Sequence, residues 1–286
     1  MRLTIQHETR YRYETPPRSV IDVLRLTPCA SAFQAVRDWR IDVTGDVPLR
    51  RFDDAFGNIT HTFSSDQVKD ELVITAVGTV ETQTSDGVVS GTREPLPVGV
   101  FQRETPLTTL TPALKAFGTD AAAASDGTEL SLAHALNAHV HKSITFEPGT
   151  TGVATAADDA LEEGKGVCQD LAHILITIAR AHGLPARYVS GYQHSDDHAR
   201  DAHAGHAWTE IHIKDLGWVG FDPSAGLSPS DAYVRVAVGL DYLGASPVRG
   251  AIYGGGGEEL HVAVTVDRAQ WGQQRQSTGG QSQSMQ

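Results

Sequence analysis

The stretch Gly164-Lys165-Gly166-Val167-Cys168-Gln169-Asp170, running straight into Leu171-Ala172-His173-Ile174-Leu175-Ile176-Thr177-Ile178-Ala179-Arg180, constrains this chain more than any other. Glycines and a short polar run give way to apolar residues at helical spacing. Val167, Leu171, Ile174, Leu175 and Ile178 set the period, and Gly183 followed by Pro185 stops it, which predicts an amphipathic helix from about Val167 to His182. Cys168 then lies in the first turn, where unpaired backbone N–H groups and the positive end of the helix dipole favour a thiolate. A free cysteine is more commonly a small buried hydrophobe. Position alone leaves both readings open, and the rest of the chain has to decide between them.

Composition narrows the partners. A formal charge of -12 argues against nucleic acid or an anionic membrane surface, since both reward clustered lysine and arginine. The two cysteines, Cys29 and Cys168, fall in different predicted domains, so a disulfide framework is not expected and a reducing compartment is. The chain opens on no signal-peptide pattern and holds no apolar run of roughly 20 residues. These features predict a cytoplasmic protein with no cofactor.

From Met1 to about Thr82 short alternating apolar runs (Leu3 and Ile5, Tyr11 and Tyr13, Val20 to Leu26, Val36 to Val43, Leu72 to Val80) predict antiparallel strands of a sandwich or small barrel, with a turn at Phe56-Gly57-Asn58. A β-rich domain over 1–85 is followed by an aperiodic, Gly-, Ser-, Thr- and Pro-rich linker or surface crossing over 86–110. A second domain, 111–268, begins with helical signals at 112–117, 130–144 and 156–163. The cysteine helix follows, and then strand-like runs at 186–192, 206–213 and 218–221, with 234–238 and 260–266 as further strands. Helices first and strands second predict an α+β unit whose antiparallel sheet packs on the Cys168 helix. The tail, 269–286, is Gln-, Gly- and Ser-rich and is expected to be disordered.

A cysteine nucleophile needs a base, and the base needs a partner that fixes its tautomer. With 13 histidines in the chain, proximity to a cysteine is weak evidence, so geometry must select. His173 lies about 140° round the helix from Cys168 and cannot face the thiol. His206 opens the strand Ala207–Ile213 and can reach over the end of the sheet toward a helix N-terminus. Asp222 ends Trp218-Val219-Gly220-Phe221, joined to the His206 strand by a hairpin-length connection, Lys214-Asp215-Leu216-Gly217. If Ile213 pairs with Trp218, His206 and Asp222 fall on opposite faces. An odd-length loop or a bulge at Gly217 instead sets Asp222 opposite Trp208, diagonal to His206 on the same face. That offset is predicted.

Gly-Val-Cys-Gln-Asp at 166–170, Gly-Leu-Pro-Ala-Arg-Tyr-Val-Ser-Gly-Tyr at 183–192, His-Ala-Trp-Thr-Glu at 206–210 and Gly-Trp-Val-Gly-Phe-Asp-Pro at 217–223 resemble, in order, the core of the transglutaminase-like superfamily. The chain resembles its bacterial branch, described as transglutaminase-like or cysteine-protease-like, and the opening β-rich region resembles the N-terminal domain that accompanies this core. The resemblance implies a papain-like α+β core with Cys168 as nucleophile, His206 as base and Asp222 as orienting acid. It also implies acyl transfer through a thioester on a peptide or protein amide. Water as acceptor gives a cysteine peptidase or amidase, a lysine amine gives a cross-linking transglutaminase, and a catalytically silent interaction module is the third reading. The Cys168 backbone N–H is the natural oxyanion donor. Gln169, about 100° round the helix from the thiol, is placed in the substrate cleft rather than at the oxyanion, together with Trp208 and Tyr188.

The segment containing His194, Asp196, Asp197, His198, Asp201, His203 and His206 has the look of a metal loop but lacks helical periodicity or paired cysteines. A solvated loop bordering the cleft is the simpler reading, with no metal expected. His134, His139 and His141 are read as surface or packing residues, His173 as a hydrogen-bonded core histidine and Asp170 as a first-turn acid.

Overall fold

The computed structural model describes residues 1–66, 68–195 and 205–269. The alternating opening sequence forms β1 (Arg2–Thr15), β2 (Ser19–Leu24), β3 (Gln34–Val43), β4 (Arg50–Asp53), β5 (Ile59–Ser65) and β6 (Glu71–Thr82). The two-residue β7 (Val88–Val89) and a 3-10 turn at Val98–Gln102 lead to α1 (Pro112–Ala122) and α2 (Glu129–Ser143). Next come β8 (Thr145–Phe146), α3 (Ala157–Glu163), β9 (Lys165–Gly166) and the cysteine helix α4 (Cys168–Ala181). The chain ends through β10 (Ala186–Gln193), β11 (His206–Ile213), β12 (Gly217–Phe221), β13 (Tyr233–Gly239), α5 (Tyr242–Ala245), β14 (Val248–Tyr253) and β15 (Gly256–Arg268).

Two sheets, ordered β15-β1-β6-β3 and β14-β2-β5-β4, form the sandwich. In β6 every second residue from Leu72 to Thr82 is buried, the period of a strand with one covered face. Leu72, Ile74 and Ala76 meet Val20, Leu24 and Phe63 of the facing sheet, whereas Val80 of the same row joins the core of the helical half. One face of one strand therefore serves two cores. The last two strands pair with β1 and β2, so residues 248–268 return to the sandwich instead of extending the sheet beside the cysteine helix. Residues 86–110 are also more than a linker. There β7 pairs with β12, and Phe101, 2% exposed, packs edge-on against Trp218.

The second unit is an antiparallel sheet ordered β13-β10-β11-β12-β7, with α4 across it and α1, α2 and α3 packed around α4. Every residue of α4 from Asp170 to Arg180 is buried, so its polar side chains find partners in the core and not in solvent. Arg180 donates to the carbonyls of Phe101, Ala186 and Leu240 and to Thr108 Oγ1, and Thr177 Oγ1 donates to the His173 carbonyl. The outer edge of β13 is covered by two amide side chains of the sandwich. Asn58 both donates to and accepts from the Val238 backbone at 2.8 Å, and Gln34 does the same at Arg235, also at 2.8 Å. Both therefore act as surrogate strand partners that cap an exposed ladder. No helix among the described residues is long and apolar enough to cross a membrane.

Candidate active site

The entrance to α4 is set by Asp170, at the third helical position. Its Oδ2 accepts from the Val167 backbone N–H at 2.8 Å, which is half of a capping box, and from Thr151 Oγ1 at 2.6 Å. Gly166 is needed for this closure, because a Cβ there would stand 2.7 Å from that same oxygen. Asp170 Oδ1 is buried without a partner. Burial raises the carboxyl above its ordinary range despite the two hydrogen bonds. Cys168 takes the first helical position, half-buried and unpaired to Cys29, and its N–H belongs to the first-turn amides that lack a helical acceptor.

The hairpin carries the predicted offset. β11 and β12 pair Ile213 with Gly217, His212 with Trp218 and Thr209 with Phe221, across the odd-length loop Lys214-Asp215-Leu216. Asp215 at φ +68° and Gly217 at φ +82° supply the left-handed turn. Continuing that register sets Asp222 opposite Trp208, on the face shared with His206. His206 Nε2 lies 2.7 Å from Asp222 Oδ2, which leaves Nδ1 as the ring's other nitrogen, and Cys168 stands near enough for its side chain to help raise the ring's pKa. Burial by itself would lower the His206 pKa. The hydrogen bonds and negative charge of Asp222 and Cys168 outweigh it and push the ring up to about 10.

Asp222 is fully buried and saturated. Its Oδ1 accepts from Ser224 Oγ at 2.7 Å, Ser224 N at 2.9 Å and Ala225 N at 3.3 Å, and its Oδ2 also accepts from Tyr233 Oη at 2.7 Å. Burial alone would raise this carboxyl, but His206, Ser224 and Tyr233 hold it below the ordinary aspartate range. Tyr233 accepts in turn from Gln193 Nε2 at 2.7 Å, and burial together with the Asp222 charge keeps its phenol protonated as a donor. Its ring packs edge-on against both His206 and Trp208. Sequence reasoning missed Tyr233, Gln193 and Ser224. Only the position of Ser224, two residues past Asp222 in a turn, carried a usable signal, that of an Asx turn.

Two of the residues expected in the cleft occupy other places. Trp208, 2% exposed, backs His206 from the apolar layer with Val189, Tyr233 and Val238. Tyr188, also 2% exposed, lies beneath α4 against His173 and Tyr242, close enough to Cys168 for the cysteine's charge to help raise its pKa after burial has done so. Both support the site from behind, because strand alternation turns them into the two cores and not toward solvent. Gln169 directs its amide to the Val153 carbonyl, a long contact at 3.4 Å.

Behind Trp208 lies a buried ion network. Glu210 takes Arg187 Nε and Arg235 Nε at 2.7 Å each, and the two cations pull its carboxyl down to about 2 although burial would raise it. Arg187 also forms a two-pronged pair with Glu94 and stacks 3.9 Å above the Trp218 ring. A cavity of about 70 Å³ adjoins this network, lined by Gln34, Glu210, Arg235, Trp208 and Tyr233, on the sandwich side of the sheet.

Among the described residues no three His, Cys, Asp or Glu side chains gather in a metal-holding group. His194 Nδ1 bonds the Val266 carbonyl at 2.7 Å, whereas Asp196, Asp197, His198, Asp201 and His203, and nearly all of the 269–286 tail, lie outside the described residues. His173 Nε2 accepts from Tyr242 N, His141 Nδ1 meets the Pro223 carbonyl, and His134 and His139 pack on Phe221 and Phe117.

A cysteine at a helix start, near a histidine held by a buried aspartate, sits on a core of one helix packed over an antiparallel sheet. This chain belongs to the transglutaminase-like superfamily, whose profile it matches over residues 118–223, and residues 3–81 match the bacterial transglutaminase-like N-terminal region. An uncharacterized protein of Mycobacterium leprae is 31% identical over 282 residues, 93% of this chain and 99% of the relative. A protein-glutamine gamma-glutamyltransferase of Pseudomonas aeruginosa is 31% identical over 106 residues, which span 34% of this chain and 15% of that enzyme. The fold is shared with a protein of Cytophaga hutchinsonii, described provisionally as a cysteine protease, at a TM-score of 0.73 and 19% identity over 93% of this chain and 90% of that one.

Proposed function

We propose that the protein is a thiol-dependent hydrolase of peptide or protein amides acting through Cys168, His206 and Asp222. The observation that supports this reading is the 2.7 Å contact of His206 with the buried, saturated Asp222, on a ring whose pKa Cys168 also helps to raise. The ring, held protonated beside Asp222, carries at Nδ1 the proton that Cys168 gives up, and Sγ attacks the amide carbon. The resulting oxyanion faces the Cys168 N–H at the positive end of α4. As the C–N bond breaks, the imidazolium returns its proton to the leaving nitrogen, and a thioester remains on Sγ. Water, deprotonated by the same ring, then releases the acid. Asp222 keeps one tautomer throughout: with Nε2–H donated to the carboxylate, Nδ1 is the basic nitrogen.

A second reading, transfer of the acyl group to an amine, is favoured by the similarity to the Pseudomonas glutamyltransferase. Both use the same three residues. Wild type and Cys168→Ala incubated with a peptide library, with and without a primary amine, separate the two by mass spectrometry. Hydrolysis without amine incorporation supports the first, incorporation supports the second, and activity retained in Cys168→Ala refutes both.

A further inference from the structure

The segment 145–153 runs beside the entrance to α4 and is fastened to it on both sides of Cys168. Phe146 pairs with Gly166, and Glu147 N donates to the Gly166 carbonyl at 2.9 Å. Thr151 Oγ1 donates to Asp170 Oδ2 at 2.6 Å, and Gln169 Nε2 reaches the Val153 carbonyl. Two of the side chains that this fastened segment displays are large, apolar and open to solvent: Phe146 is 49% exposed and Val153 is 59% exposed. A third exposed apolar residue, Leu227 at 48%, forms the bridge to Asp222.

Single exposed apolar residues are ordinary on any surface. Anchorage distinguishes these. Asp170 is completely buried, with Oδ1 lacking any partner, and such burial costs free energy. A helix cap alone needs only the Val167 bond and could be made at the surface. The second bond, to Thr151, fixes the neighbouring segment against the cysteine turn, so Phe146 and Val153 stay exposed on a segment held at the start of α4.

We infer that residues 146–153 form the specificity wall of the cleft, and that it selects amide substrates carrying an apolar side chain next to the attacked carbonyl. The inference rests on the acyl-transfer reading and names its substrate class. Thr151 and Asp170 are positioning residues for this wall, and Gln169 is one of its fasteners.

Two peptidyl acyloxymethyl ketones of equal length, bearing Leu or Asn beside the ketone, test it together with iodoacetamide, which presents no side chain. Each ketone forms a thioether at Sγ with loss of its carboxylate, so labelling reports cleft recognition without turnover. In wild type the Leu probe is expected to label Cys168 about tenfold faster than the Asn probe, the size of a modest apolar contact. In Val153→Ser and in Phe146→Ser the ratio falls toward one, and in Thr151→Val it falls partway. Because Val153 is a loop residue open to solvent, its substitution leaves folding intact should Phe146→Ser not. A wild-type ratio near one, or a ratio unmoved in Val153→Ser, overturns the wall. An iodoacetamide rate unaltered in His206→Ala contradicts the acyl-transfer reading instead.

Discussion

Replacing Asp222 by Asn removes the charge that holds the His206 ring protonated and keeps nearly the same shape. Lifting an imidazole from 6.5 to about 10 corresponds to roughly 5 kcal/mol in favour of the charged ring, at about 1.4 kcal/mol per pH unit. Burial works against that shift, so the raising contributions together exceed it, and the hydrogen bond to Asp222 comes first among them. Assigning Asp222 only half of the net effect predicts that the ring's pKa falls by about two in Asp222→Asn. Turnover suffers more than the pKa suggests, because an asparagine can present its NH₂ to Nε2 and stabilise the wrong tautomer. A loss of about 10²- to 10⁴-fold is expected, the range typical of general acid–base catalysis. The assay is an NMR titration of ¹³C-labelled histidine in wild type and Asp222→Asn, with His206→Ala assigning the resonance, run beside amide turnover. A His206 resonance that titrates identically in wild type and Asp222→Asn would refute the electrostatic account of the site.

Acid should loosen the fold through two buried histidines the mechanism does not use. His7, between Tyr192 and Thr9, and His173 are each lowered to about 4, first of all by burial. The unfolded chain binds these protons below about 6.5 while the native chain does not until about 4, so stability is full above that window and declines as pH falls through it. The loss is about 3 kcal/mol per ring. Denaturant unfolding at pH 7.5 and 4.5 should show it, with a shallower slope in His173→Gln, and equal stability at both pH values would contradict it. Glu210→Gln leaves the buried Arg187 and the part-buried Arg235 without their shared anion and should cost about 3–5 kcal/mol in the same measurement. A cost below 1 kcal/mol would show that Glu94 and the Trp218 ring suffice for Arg187.

The strands and helices were legible where one face is apolar at a fixed period. β11 matches the predicted bounds, α4 agrees to within a residue at each end, and the parity argument on the Lys214–Leu216 loop placed Asp222 opposite Trp208. The cores behind the site were not legible. α4 reads as amphipathic because His173, Thr177 and Arg180 are polar, yet each is buried and bonded within the fold, and a hydropathy pattern cannot distinguish a satisfied buried group from a solvated one. The same ambiguity put Trp208 and Tyr188 in an open cleft. Residues 86–110 read as a linker because Glu94 and Phe101 gain their meaning only from Arg187 and Trp218, about a hundred residues away in sequence. The return of β14 and β15 to the sandwich depends on the pairing of the chain's two ends, which no local period encodes. Tyr233 belongs to the site by the same kind of long-range meeting.

The direct test of the central claim is acid-quenched mass spectrometry of the enzyme during turnover of an amide peptide, followed by mapping of the peptide that contains Cys168. Wild type should carry the acyl portion of the substrate as a thioester on Cys168, sensitive to hydroxylamine, and His206→Ala and Cys168→Ala should carry none. Turnover by wild type with no adduct on Cys168, or turnover that persists in Cys168→Ala, would contradict it.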